Sequence, residues 1–326
     1  MKTKTLKKWF FGFAVLIASL ATLLFSFVIF HRIRLNIEQE QLIPPGHMVE
    51  VDGGRMHVYI AGENDEAPLL VFLAGHGTFA PVYNFRPLYS LLTSDFRIAV
   101  VEKFGYGYSD FTDTPRNIDI MLSELRAALF SLDETGPFVL LPHSMAGLEA
   151  LRWAQLYPDE VVGIVGNDIA VPNMYLHGHV NPPVQFFRTL SWMGLQRIPG
   201  LIERVLYPYP ARECFLTPEE YAQQRLLIFR NSMNQTVAAE STFTVPNSQT
   251  IMDDDLPRIP MLMLVSVLFG ETEGYPFFIP YSEEFAQAIG AQIEFFDEAN
   301  HFIHQYEPER AADLVRTFVI ALQEYF

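Results

Sequence analysis

The sequence predicts an α/β protein: a mostly parallel central sheet flanked by helices, interrupted late by a helical insertion and preceded by one transmembrane helix. Three observations carry this prediction. From residue 69 onward, short β-branched runs alternate with longer amphipathic segments, as a parallel sheet covered by helices requires. Residues 171–260 break that alternation, with helical stretches and no good strand. Residues 9–30 contain no charged side chain.

Composition narrows the field. The 326 residues carry 22 Lys and Arg against 38 Asp and Glu, a formal charge of −16, and half of them are hydrophobic. A disordered chain is excluded. Because Lys2, Lys4, Lys7, Lys8, Arg32 and Arg34 all precede the first acid, Glu38, the body beyond is more acidic still. Nucleic acid is therefore not an expected partner, since like charges repel. Cys214 is the single cysteine, so neither an internal disulfide framework nor a cysteine-based zinc site is expected.

The elements follow in order. Residues 1–8 form a Lys-rich start. At about 1.5 Å per residue the run 9–30 makes a helix about 33 Å long, enough for a hydrocarbon core of about 30 Å. A cleavable signal peptide competes for the same residues, but the run is long for a signal core and no small-x-small cleavage site follows it. With four lysines before the run and two arginines plus His31 after it, the N-terminus is expected in the cytoplasm and the remainder outside. Residues 31–46, ending in Pro44-Pro45-Gly46, read as a juxtamembrane linker.

The soluble body reads as a core in two parts, 47–170 and 261–326, around a cap at 171–260. Strands are predicted at 48–52, 55–61, 69–73, 97–102, 138–141, 161–167, 261–267 and 292–296, with Gly53-Gly54 as a hairpin turn. Helices are predicted at 118–132, 145–157, 281–289 and 308–325, and within the cap at 184–197 and 218–230. The cap carries Phe186, Phe187, Trp192, Met193, Tyr207 and Tyr209. Most should pack within the cap, and a few should line what lies beneath.

The chemistry concentrates after the strand Phe138-Val139-Leu140-Leu141, where Pro142-His143-Ser144-Met145-Ala146-Gly147 runs directly into a helix. A serine on a tight strand-to-helix turn needs small flanking residues and presents its hydroxyl at the C-terminal edge of the sheet. Here, and in Glu102-Lys103-Phe104-Gly105-Tyr106-Gly107-Tyr108-Ser109-Asp110, the chain resembles the α/β-hydrolase superfamily over nearly all of residues 48–326. Within it the chain is similar to a branch of membrane-anchored bacterial hydrolases. The elbow departs from G-x-S-x-G at Pro142 and Ala146. Proline suits the extended end of a strand, and alanine is small.

The resemblance implies an α/β-hydrolase fold and a set of roles. Ser144 is the nucleophile, and His301, in Glu298-Ala299-Asn300-His301, is the general base after the last strand. His304, one turn later, is expected to be structural. Backbone N–H groups of His76, in Phe72-Leu73-Ala74-Gly75-His76-Gly77, and of Met145 would form the oxyanion hole. Ala74-Gly75 stands where many relatives carry His-Gly. The carboxylate is open: Asp168, at the end of the sixth strand, is favoured, while Glu271 and Glu273 follow the seventh, and the Ser, acid, His order holds for each.

Two other patterns point to no further chemistry. Gly105-Tyr106-Gly107 lacks the full dinucleotide-binding fingerprint. Asp253-Asp254-Asp255 lacks the alternation and distal Glu of a calcium loop and reads as a solvated turn. No cofactor or metal is expected. The implied activity is serine hydrolysis of a carboxylic ester with an apolar acyl or alcohol group, with a small-molecule substrate that lipid could supply. A serine nucleophile argues against the dehalogenase and epoxide-hydrolase branches. Two alternatives stay open: an inactive hydrolase-like binding protein, suggested by Pro142, Ala146 and Ala74, and an acyltransferase using the same site.

Overall fold

The computed structural model describes residues 2–177, 184–198, 200, 215–272 and 275–323. Eight strands form one sheet: β1 (His47–Val51), β2 (Gly54–Ala61), β3 (Leu69–Leu73), β4 (Ile98–Glu102), β5 (Phe138–Pro142), β6 (Val161–Asn167), β7 (Met261–Ser266) and β8 (Gln292–Phe296). Their order is β1-β2-β4-β3-β5-β6-β7-β8. The β1–β2 and β2–β4 pairs are antiparallel, and every later pair is parallel. The inner strands β3, β4 and β5 are buried along their whole length, which is why they read as unbroken apolar runs rather than alternating ones.

Helices cover both faces. The first, α1 (Lys2–Gln39), stands ahead of the sheet; α2 (Pro81–Asn84) and α3 (Arg86–Leu92) follow β3, α4 (Ile118–Phe130) follows β4, and α5 (Ala146–Leu156) follows β5. Between β6 and β7 lie α6 (Pro172–Leu176), α7 (Val184–Trp192), a 3-10 turn (Leu195–Arg197), α8 (Pro218–Asn231), α9 (Gln235–Thr242) and α10 (Thr244–Asp253). No strand occurs there among the described residues. After β7 come α11 (Val267–Thr272), α12 (Phe278–Ile289), α13 (Ile303–Tyr306) and α14 (Pro308–Gln323). Residues such as Val71 and Leu73 pack with α4, α5 and α12 on one face, while Leu70 and Phe72 pack with α3 and α14 on the other. Alternation along β3 thus feeds two cores.

Three differences from the sequence reading have physical causes. The predicted linker at 31–46 is helical as far as Gln39. Glu38 accepts from Arg34, one turn back, at 2.9 Å and from Arg197 at 3.0 Å, which holds this polar extension of the apolar helix in place. The short helices α2 and α3 carry a proline in the first turn, Pro81 and Pro87, but lack a long periodic stripe to announce them. Asp254 is no free turn residue: it pairs with Arg152 at 2.5 Å.

Trp9, Phe10, Phe13, Leu20, Leu23 and Phe25 are exposed along α1. Within this helix, Lys7–Gln39 is long and apolar enough to cross a membrane.

Candidate active site

Three strand ends bring the chemistry together. Ser144 follows β5 with φ of 54°, in the left-handed region where non-glycine residues are strained. Its N–H donates to Asn167 O at 3.3 Å, and its own carbonyl accepts from Ala170 N at 2.9 Å. The elbow is thus fixed by neighbouring strand backbone. Gly75 makes room for it, because a Cβ there would lie 2.6 Å from both His143 O and Ser144 Cβ. Proline at 142 is tolerated as the last residue of β5, and Ala146 is fully buried as the first residue of α5.

Asp168, immediately after β6, is also left-handed, with φ of 49°. It is fully buried. Its main-chain N–H donates to Leu264 O at 2.8 Å, and its Oδ1 accepts from Ser266 N at 2.8 Å. Its Oδ2 lies 2.7 Å from His301 Nδ1. His301 Nε2 in turn lies 2.8 Å from Ser144 Oγ. The carboxylate takes the Nδ1–H, which leaves Nε2 with a lone pair facing the serine hydroxyl.

The imidazole of His301 is held on several sides. Phe269 stacks on it with ring centroids 4.2 Å apart and planes 21° apart. His143 Nε2 donates to the His301 carbonyl at 3.0 Å. Burial holds His143 and His304 neutral, well below the ordinary histidine range. His304 is fixed between Asn167 Nδ2 at 2.6 Å and Asn84 Oδ1 at 2.7 Å. Its place is structural.

The loop after β3 carries His76 into the same cavity as Ser144, Met145 and His301. The main-chain N–H groups of His76 and Met145 have no acceptor among the described residues. The His76 ring reaches the opposite wall, with Nε2 3.1 Å from Val237 O and 2.5 Å from Ser241 Oγ on α9. Burial lowers its pKa. This ring contact is one that sequence reading missed, since nothing local marks Ser241 as its partner 165 residues away.

The cavity measures about 690 Å³. Its walls are Met174, Tyr175, Val184, Phe186, Val245, Phe269, Tyr275, Phe277 and Phe278, with Gln185, Ser241, Thr242 and Thr244 as the polar exceptions. Of the aromatic residues expected to face it, Phe186 does, and Phe187 packs edge-on against Phe186. Trp192 faces a different cleft. Tyr207, Tyr209, Cys214 and Glu273 lie outside the described residues, as does the side chain of Glu271, whose backbone falls within α11.

The bend after β4 is built around a buried carboxylate. Glu102 accepts from Val82 N at 3.0 Å, Tyr108 N at 2.8 Å and His57 Nδ1 at 2.9 Å. A Cβ at Gly107 would fall 1.8 Å from its Oε2, so these closely spaced glycines serve packing. No group of His, Cys, Asp and Glu able to hold a metal occurs among the described residues.

A sequence profile described as the alpha/beta hydrolase fold matches residues 68–243. This chain is an α/β hydrolase. The uncharacterized protein YbdG of Bacillus subtilis is 31% identical over 329 residues, covering 98% of this hydrolase and 99% of YbdG. Among solved structures, a thermophilic esterase from Thermogutta terrifontis superposes with a TM-score of 0.61 at 20% identity, covering 85% of this hydrolase and 99% of that chain. An epoxide hydrolase from Bacillus megaterium superposes with a TM-score of 0.64 at 16% identity, covering 83% and 99%. At such identities these two structures speak for the fold alone.

Proposed function

We propose that this hydrolase cleaves a carboxylic ester with an apolar acyl or alcohol group through an acyl-enzyme on Ser144. The observation that carries the reading is the unbroken chain from Asp168 Oδ2 through His301 to Ser144 Oγ, with contacts of 2.7 and 2.8 Å. Ser144 Oγ attacks the carbonyl carbon as its proton passes to His301 Nε2, and Asp168 stabilises the resulting imidazolium. The oxyanion accepts from the N–H groups of His76 and Met145. Collapse breaks the bond to the alcohol, which leaves with the proton from His301. Water, deprotonated by His301, then attacks the acyl carbon and frees Ser144.

The nucleophile separates this reading from epoxide opening. A serine that opened an epoxide would form an ether, which has no carbonyl for water to attack. An acyl ester on Ser144 has one. The aromatic walls favour an apolar group.

We place residues 9–30 across a membrane, the Lys-rich start in the cytoplasm and the catalytic body outside, with the helices between β6 and β7 as the cap. Charge bias about the apolar run supports this orientation. Protease added to intact cells should digest the body. Survival of the body in cells but not in detergent would reverse the orientation.

The decisive measurement is fluorophosphonate labelling together with hydrolysis of p-nitrophenyl esters from acetyl to long acyl. Labelling and turnover should both vanish in Ser144→Ala. A folded wild-type protein that neither labels nor turns over any ester of the series would overturn the proposal.

A further inference from the structure

A second cleft, of about 530 Å³, opens where the C-terminal end of α1 meets α7, α8 and the 3-10 turn. Its position is set by the anchor. Arg32 lies two residues beyond the apolar run, about 3 Å further along the helix axis, at the depth of lipid headgroups. Trp192 lies beneath the Arg32 guanidinium at 5.2 Å and is largely exposed, as interfacial tryptophans are.

The charges in the cleft do not cancel. Its two carboxylates are already committed, Glu38 to Arg34 and Arg197, and Asp110 to Arg55. Arg32 and Arg188 have no carboxylate partner among the described residues, and Arg230 donates only to neutral oxygens, Gly107 O at 2.9 Å, Ser109 O at 3.0 Å and the Asn231 side chain at 2.9 Å. His31 Nδ1 accepts from Arg197 Nε at 2.7 Å, so its ring is neutral and adds no charge. Two further residues of the cleft wall, Ser191 and Gln196, each hold a buried side-chain oxygen, Oγ and Oε1, with no partner among the described residues. Buried polar groups without partners are costly, and here they belong to the same cleft wall as Arg32 and Arg188.

We propose that this cleft binds a phosphate-bearing anion with adjacent hydroxyls, the chemistry of a glycerophospholipid headgroup. Arg32 and Arg188 hold the phosphate, Ser191 donates to it, and Gln196 Oε1 accepts from a hydroxyl. The lipid source rests on the membrane-spanning reading of residues 9–30. The site is separate from Ser144 and takes no part in the hydrolytic steps.

The test uses the full chain in uncharged detergent, with phosphatidylglycerol or phosphatidylcholine added and retained lipid read by native mass spectrometry. Phosphatidylglycerol should be retained in preference to phosphatidylcholine. The double variant Arg32→Gln/Arg188→Gln should weaken its retention about tenfold or more, and the milder single Arg188→Gln should weaken it to a smaller degree, each with an unchanged circular dichroism melt. Equal retention of the two lipids, or retention unchanged in a folded variant, would overturn the site. Free glycerol 1-phosphate that binds the wild type, and not the variants, would uphold the site and make the soluble phosphate its source. Alkaline carbonate treatment of membranes separates the two readings. Release of the chain would refute the spanning helix, whereas lost selectivity in a chain that stays embedded would refute the headgroup site alone.

Discussion

The two walls of the cavity at Ser144 are held by different physics. On the sheet side, Ser144 and Asp168 follow strand ends directly, at positive φ and tied by backbone to neighbouring segments, while His301 lies in the loop after β8 with its carbonyl held by His143 Nε2. On the side of the proposed cap, α9 is tied to the core by buried side chains that carry charge. Lys103 Nζ reaches Glu149 at 2.5 Å and Glu240 at 2.7 Å, and Tyr106 OH donates to Glu240 at 2.6 Å. Backbone geometry is indifferent to a conservative side-chain change. A buried ion cluster is not. Substitutions on the first wall should therefore remove chemistry and spare the fold, and those on the second should do the reverse.

The largest effect is expected on the sheet side. Ser144→Ala should lower kcat by about 10⁴- to 10⁶-fold and Asp168→Asn by about 10²- to 10⁴-fold, with thermal melts near that of the wild type. Glu271→Gln should leave kcat unchanged. If Glu271→Gln fell as far as Asp168→Asn, the carboxylate assignment would move to α11.

On the cap side, Lys103→Met should cost about 3–5 kcal/mol in denaturant titrations, because it leaves two buried carboxylates without their cation. Adding Glu240→Gln to Lys103→Met should recover part of that loss. A double variant as unstable as the single one would show that Lys103 acts through packing rather than charge.

These two walls also differ in how far they could be read from the sequence. The sheet was legible: all eight predicted strands form within a residue or two of their expected bounds, because buried parallel strands announce themselves as apolar runs. Ser144, Asp168 and His301 were legible as candidates because the first two follow strand ends and the third lies in the loop after the last strand, in the expected chain order. What brings Asp168 rather than another acid to His301 is the left-handed turn at 168, a backbone state that no local residue pattern specifies. The cap contacts were illegible. Glu240 meets Lys103 across 137 residues, and in sequence it is one more acid in a polar helix. Short elements such as α9 and α10 carry too few turns for a clear periodicity. The continuation of α1 to Gln39 was hidden for the same reason, since Arg197 is supplied by a distant turn.

Acidity offers a third way to separate the walls. Unfolding lets buried His76, His143 and His304 take up protons that the fold excludes. Below about pH 6.5 the unfolded chain binds more protons at these sites, so stability falls as the pH drops. Glu149 works in the opposite sense. Burial pushes its carboxyl up to about 7, so between the ordinary carboxylate range and pH 7 the fold holds a proton that the unfolded chain has released. This stabilises the fold at low pH and fades as the pH rises to 7. Glu240 is held low and Lys103 is held high, so neither titrates in this window. Stability should therefore fall from pH 7 to pH 5, and Glu149→Gln should make the fall steeper. Coincident slopes would mean that Glu149 is ionised inside the fold, and that the cap is seated on two carboxylates rather than one.

The smallest effect is expected where the cap meets substrate. Phe186 lines the cavity from α7 while remaining largely exposed, so truncating it removes apolar contact without opening a hole in the core. Phe186→Ala should lower kcat/KM for long-acyl p-nitrophenyl esters about 3- to 10-fold, leave acetyl ester turnover unchanged, and leave the melt unchanged. The selectivity follows from geometry: an acetyl group stays beside Ser144, whereas a long chain must run along the aromatic wall to leave water. An equal loss on short and long esters would mean that Phe186 positions the catalytic side of the cavity. The wall formed by α7 would then contribute to the chemistry proposed for Ser144, Asp168 and His301.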